Sequence, residues 1–138
     1  TEAYKAVNEY RQKFPQKAVT FYAQNYPAMG WAVFMAGGSC PVIPCTDKAF
    51  LKDAAAMKVE ETNTDEYKKM VKSDIGSIIY SKSGTEIPVQ LSSGKYVLKY
   101  IHPASGKIET MNKSLKINGL YKLKVPDKKE GIYWFHKL

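Results

Sequence analysis

The side chains here with chemistry to offer are 2 cysteines, 2 histidines and 13 acidic residues, and their spacing decides which chemistry is open to them. Cys40 and Cys45 enclose the hexapeptide Cys-Pro-Val-Ile-Pro-Cys. A zinc site needs further ligands, and His102 and His136 lie far off in sequence. A redox pair normally has two residues between its cysteines, and this one has four. Two readings stay open for it, a pair of buried thiols or a small-loop disulfide that must close across two prolines. Neither histidine has a cysteine or an acidic neighbour at ligand or dyad spacing. Both read as ordinary polar positions, His102 in a turn before Pro103 and His136 on a closing strand.

Glycoside hydrolysis needs two carboxylates facing each other across the bond, one protonated and one ionised. The acids here fall where solvated groups and caps are expected. Asp47 and Asp53 belong to an amphipathic helix, Glu60, Glu61, Asp65 and Glu66 to a polar linker, and Asp127 and Glu130 to a turn. There is no Gly-x-Ser-x-Gly elbow for a hydrolase triad. Gly37-Gly-Ser39 could offer N–H groups to an anion, but it reads first as a helix C-cap with a turn. No catalytic, cofactor or metal residue is assigned on these grounds.

Lys and Arg outnumber Asp and Glu by 21 to 13, for a net charge of +8. Only Arg11 is arginine, and the lysines are spread along the chain, so no nucleic-acid partner is expected. No apolar run approaches the roughly 20 residues of a membrane span. The start, Thr-Glu-Ala-Tyr-Lys, has neither Met nor a basic-then-apolar leader, so a mature form or a piece of a longer protein is expected. Oligomeric state is left open.

Periodicity divides the chain near residue 75 into an α+β order. Tyr4, Val7, Tyr10 and Phe14 mark one face of a helix that Pro15 stops. Lys17-Ala-Val-Thr-Phe-Tyr22 predicts a short buried strand. Ala28 to Ala36 is apolar all round and predicts a buried helix ended by Gly37-Gly38. Asp47 caps a helix over 48–58 with Phe50, Ala54 and Met57 inward. Glu66 to Lys72 predicts a further short helix with Tyr67, Met70 and Val71 inward. Residues 1–75 thus form a helix-strand-helix-helix α/β segment.

From Gly76 to Leu138 the period changes to two. Short strands are expected over 77–80, 86–91, 95–101, 107–111, 114–117, 121–125 and 132–135, punctuated by turn sequences. About seven short strands at this spacing predict an antiparallel β-sandwich. Asn118-Gly119 predicts a hairpin, and Pro88 an edge strand or bulge. Trp134 lies between Tyr133 and Phe135, so one set must face outward unless something covers it. Packing against the α/β half is expected over sugar stacking.

The stretch Tyr100-Ile-His-Pro-Ala-Ser-Gly-Lys107, with Ile79-Tyr80, Gly84, Gly94-Lys95, Pro126 and Tyr133-Trp134, resembles a C-terminal β-sandwich family named for collagen binding. That domain follows the catalytic barrel in many bacterial glycoside-hydrolase-like proteins. Lys17 to Tyr22, Met29 to Gly38 and Val42-Ile43 look like the last βα units of such a (β/α)8 barrel. The family carries an acidic residue in the loop after this strand. Here that loop reads Ala23-Gln-Asn-Tyr-Pro27, with Gln24 where the carboxylate would stand. The resemblance implies Tyr22, Gln24, Asn25 and Tyr26 as ligand-binding candidates. It further implies a non-catalytic C-terminal portion of a secreted or periplasmic, cell-envelope-associated protein acting in carbohydrate processing. Its partner would be polysaccharide or the rest of its own barrel. A free-standing module for polysaccharide or for a matrix protein such as collagen is the alternative expectation.

Overall fold

The computed structural model describes residues 2–21 and 26–138, with backbone alone at 26–28. Contacts divide the chain into two compact units, Thr1–Pro44 and Cys45–Leu138. Among the described residues the chain is α+β, with three helices and eight strands whose pairings are all antiparallel.

Unit 1 holds α1 (Glu2–Lys13) and α2 (Tyr26–Met35). The expected stripe on α1 is only half buried: Ala3, Tyr4 and Val7 are covered, whereas Tyr10 is 56% and Phe14 38% exposed. The packing is close at Gly38, where an added Cβ would meet Val33 Cγ1 at 2.7 Å and Val7 Cγ1 at 3.1 Å. The Arg11 guanidinium donates to the Ala36 carbonyl at 3.1 Å. Gly37 takes a positive φ of 69° and ends the helical run, as its sequence predicts. Residues 17–21 form no strand, contrary to expectation. A strand needs a ladder, and among the described residues no ladder includes this segment; the Val19 carbonyl accepts from Ser39 N–H at 2.7 Å.

Unit 2 opens with α3 (Lys48–Ala56), whose N-terminus Asp47 caps by accepting from Phe50 N–H at 2.8 Å. Then follow β1 (Lys58–Glu60), β2 (Tyr67–Lys72), β3 (Gly76–Ser81), β4 (Glu86–Gln90), β5 (Gly94–Ile101), β6 (Ile108–Ile117), β7 (Leu120–Lys124) and β8 (Gly131–Lys137). Six of them form one sheet in the order β1-β2-β3-β8-β5-β6, and β4 pairs with β7 in a separate ribbon. Ile87, Val89 and Leu123 of the ribbon share a core with Ile79, Tyr96, Leu98, Tyr100, Tyr133 and Phe135 of the sheet.

Three expectations are corrected here. Residues 67–72 are strand, not helix, so the sheet begins at Lys58 rather than beyond Gly76. Tyr67, Met70 and Val71 fit a helical spacing, but they also fit a strand buried on both faces, and the register decides: Val71 opposes Ser77 and Met70 opposes Ile78. The two strands expected over 107–117 are one, β6, and register shifts opposite Leu98 absorb its irregularity. Asn118-Gly119 closes no hairpin, because it carries the chain from β6 in the sheet to β7 in the ribbon. Pro88 does sit on the ribbon, opposite Lys122, as its missing N–H requires.

Gly76 explains part of the sheet's geometry. Its φ is 154°, and a Cβ there would lie 1.8 Å from the Phe135 carbonyl oxygen. Gly84, at φ 73°, meets only Asp127 Oδ1, at 3.3 Å. Gly76→Ala should therefore lower stability by roughly 1–3 kcal/mol or more, read as a drop in the urea midpoint. Gly84→Ala should cost about 1 kcal/mol.

Candidate functional site at the seam of α3 and β8

β8 is the strand on which the site is built. Alternation sends Tyr133 and Phe135 into the shared core and Ile132, Trp134 and His136 to the opposite face. Trp134 is nevertheless 0% exposed, so that face is covered as well. Phe50 of α3 meets it edge-on at 5.4 Å, and the Lys99 ammonium lies 4.5 Å from its ring centroid. The expected packing of Trp134 is what the structure has, with α3 as the partner.

An indole buried in this way keeps an N–H that must be satisfied. Asp53, one turn beyond Phe50 on α3, supplies the acceptor. Its Oδ2 accepts from Trp134 Nε1 at 2.9 Å and lies 2.7 Å from His136 Nδ1. A carboxylate only accepts, so the imidazole carries its proton on Nδ1, and in the neutral ring Nε2 is left as an acceptor. Two sequence readings are overturned. Asp53 is 7% exposed rather than solvated, and His136 has an acidic partner 83 residues away rather than none. Sequence spacing could not reveal a dyad joined across the fold. The available signal was Trp134 and His136 at i, i+2, which a strand places on one face.

Beside this dyad lies an open cleft of about 400 Å³, bordered by Lys52, Asp53, Asp74, Ile75, His136 and Lys137. The Lys137 ammonium donates to Ser92 Oγ at 3.0 Å. The arrangement can orient an imidazole and present donors and acceptors together. Among the described residues no group of three His, Cys, Asp or Glu is placed to hold a metal ion.

The other expected residues fall elsewhere. Tyr22, Gln24 and Asn25 lie outside the described residues, and Tyr26 begins α2. Cys40 and Cys45 form no disulfide in the structure, and the alternative of two buried thiols holds at Cys45 alone. Cys40 is exposed, and Cys45 is buried, which pushes its thiol pKa up. The N–H groups of Gly37, Gly38 and Ser39 are spent on the carbonyls of Phe34, Val33 and Val19, so they are not open to an anion.

A second polar cluster ties the Pro103 turn to the loop before β8. His102 Nε2 lies 2.9 Å from Glu109 Oε1, and the Lys129 ammonium 3.3 Å from Glu109 Oε2 and 4.7 Å from the Tyr100 ring. The His102 contact, then Lys129, holds the Glu109 carboxyl below its ordinary value. Tyr100 donates to the Glu130 carbonyl at 2.8 Å, and Tyr133 to that of Lys129 at 2.7 Å. Burial, and then Tyr100, push the Tyr133 phenol up to about 12. Burial and the bond to Glu130 raise Tyr80.

With this geometry in place, the chain can be set beside known proteins. Residues 1–57 match a family model described as a domain of unknown function, DUF6298. No curated protein matches the sequence. A distant structural neighbour is a solved chain titled "Glycoside hydrolase", with a TM-score of 0.43 and 15% identity over 57% of this chain. This chain spans 19% of that one's length.

Two outcomes follow from the clusters. Asp53→Ala leaves the Trp134 N–H unpaired and should cost roughly 1.5–3 kcal/mol, with a changed near-ultraviolet tryptophan signal. Asp53→Asn, which keeps a carbonyl acceptor, should cost less. Glu109 has a depressed folded pKa, so its contribution is present above its unfolded value and is lost as pH falls through the folded one. The wild type should lose that increment below about pH 4.3, whereas Glu109→Gln should show a flatter acid limb in urea titrations.

Proposed function

We propose that this chain is the non-catalytic C-terminal portion of a secreted glycoside-hydrolase-like protein that acts in carbohydrate processing. On this reading unit 1 is the closing βα part of a (β/α)8 barrel, and unit 2 is a β-sandwich accessory module. The observation that carries it is residues 17–21. They are apolar and strand-like in sequence, yet Ala18 is exposed and Val19 and Phe21 are only half-buried. Beside them Tyr10 and Phe14 stack at 6.2 Å and border an open groove of about 460 Å³. Apolar surface left in water forgoes about 25 cal/mol per Å². A parallel barrel strand, by contrast, is buried on both faces. Residues 17–21 have the composition of such a strand, and among the described residues no strand pairs with them.

The test is the coding sequence upstream of Thr1. It should encode about 200–250 residues of repeated strand–helix alternation with carboxylates at strand ends. Incubated with a glycan panel, this chain alone should release no reducing sugar. An upstream region without that alternation, or hydrolysis by this chain alone, overturns the reading.

A further inference from the structure

The groups around the α3–β8 cleft are those that a polyhydroxylated ligand would use. Lys52 and Asp74 bring one charge of each sign to its border, while the Asp53 carboxylate is engaged by Trp134 and His136 and the Lys137 ammonium by Ser92. No ionic ligand is favoured by such a balance. What remains is a mixture of donors and acceptors: the Lys52 N–H groups, the Asp74 oxygens and the His136 imidazole. Ala56, Ile75 and Leu138 supply apolar surface beside them. A sugar ring has the matching character, with hydroxyls that both donate and accept on its rim and C–H faces between them.

His136 is the part of the cleft that is built in advance. Its ring is fixed by Asp53 at 2.7 Å, and Asp53 is itself fixed by Trp134 at 2.9 Å. A side chain held this way gives up little further freedom when a hydroxyl reaches it. His136 serves the clamp between helix and sheet as the second partner of the buried carboxylate, and its ring stays one-third exposed at the cleft border.

We infer that this cleft binds a single neutral monosaccharide unit, with His136 Nε2 and Asp74 accepting from its hydroxyls and Lys52 donating to them. The inference rests on the carbohydrate reading above but not on the barrel, because every residue it uses lies in unit 2. Binding through a few hydroxyls is weak, of the order of millimolar.

The test is an NMR titration of the full chain with glucose, galactose, mannose, xylose and rhamnose, following the imidazole resonances of the 2 histidines. His102, held at Glu109 on another part of the sheet, is the internal reference. At least one sugar should give a saturable shift at His136 and none at His102. Lys52→Ala and Asp74→Ala, at exposed positions, should each weaken that binding about tenfold while leaving the urea midpoint unchanged. No saturable shift up to about 50 mM overturns the inference, as does binding that both variants retain. Failure of the upstream-sequence test with sugar binding intact would sink the barrel reading alone. The reverse pattern would sink only the cleft.

Discussion

A central strand buried on both faces sets the terms for the rest of unit 2. β8 lies between β3 and β5, and its residues from Gly131 to Phe135 are all buried. Alternation makes that costly to arrange, because each face needs its own cover. The ribbon supplies one cover through Ile87, Val89 and Leu123, and α3 helps to supply the other through Phe50. From this point each polar feature of the seam follows from the one before. Choosing Trp at 134 brings an N–H into the interior, where an unpaired donor costs about 1–3 kcal/mol. Asp53 answers that donor, but a buried carboxylate needs more than one partner. His136, two residues along the same strand face, is the second.

The other polar residues inside unit 2 obey the same logic. Lys69 is 8% exposed, and its ammonium reaches the Glu60 carboxylate at 2.5 Å and the Pro88 carbonyl at 3.2 Å. Pro88 has no N–H to give the ladder, yet its carbonyl still needs a donor. One long side chain therefore links β2 of the sheet to β4 of the ribbon. At the far end, Tyr100, Tyr133, His102, Glu109 and Lys129 tie the loop before β8 to the Pro103 turn. Charge is spent inside this unit on joining layers. The lysines of β7, Lys122 and Lys124, are exposed as alternation predicts.

What was legible in the sequence was whatever depends on neighbours a few residues apart. The helix stopped at Pro15, the Asp47 cap, the Gly37 terminus and most strands after Gly76 are local matters of period and capping. Pairing partners are not local. Nothing in the string says that Asn118-Gly119 joins two different sheets, or that residues 67–72 face a strand rather than a helix groove. The seam was hidden for the same reason. Asp53 looks like any acid on an amphipathic helix until the fold sets it against Trp134, across a separation of 81 residues. Tyr10 and Phe14 share the helical stripe of Tyr4 and Val7, yet they are exposed. A stripe is buried only where something packs on it, and the period cannot tell which part of the stripe that is.

The two open surfaces of the chain differ in kind, and the difference bears on what each can hold. The groove in unit 1 is bordered by Ala6, Val7, Tyr10, Phe14, Val19 and Phe21, with Lys17 as its one charged residue among the described residues. It offers few fixed donors or acceptors, so it cannot distinguish one small polar molecule from another. The cleft in unit 2 has the opposite balance. Its border carries both signs of charge and an imidazole whose orientation is fixed from behind by a buried carboxylate. Discrimination between hydroxyl patterns needs groups that cannot rotate to suit every comer, and the Trp134–Asp53–His136 chain removes that rotation at one of them. The carboxylate that satisfies the buried indole therefore also holds in place an imidazole at the border of the cleft.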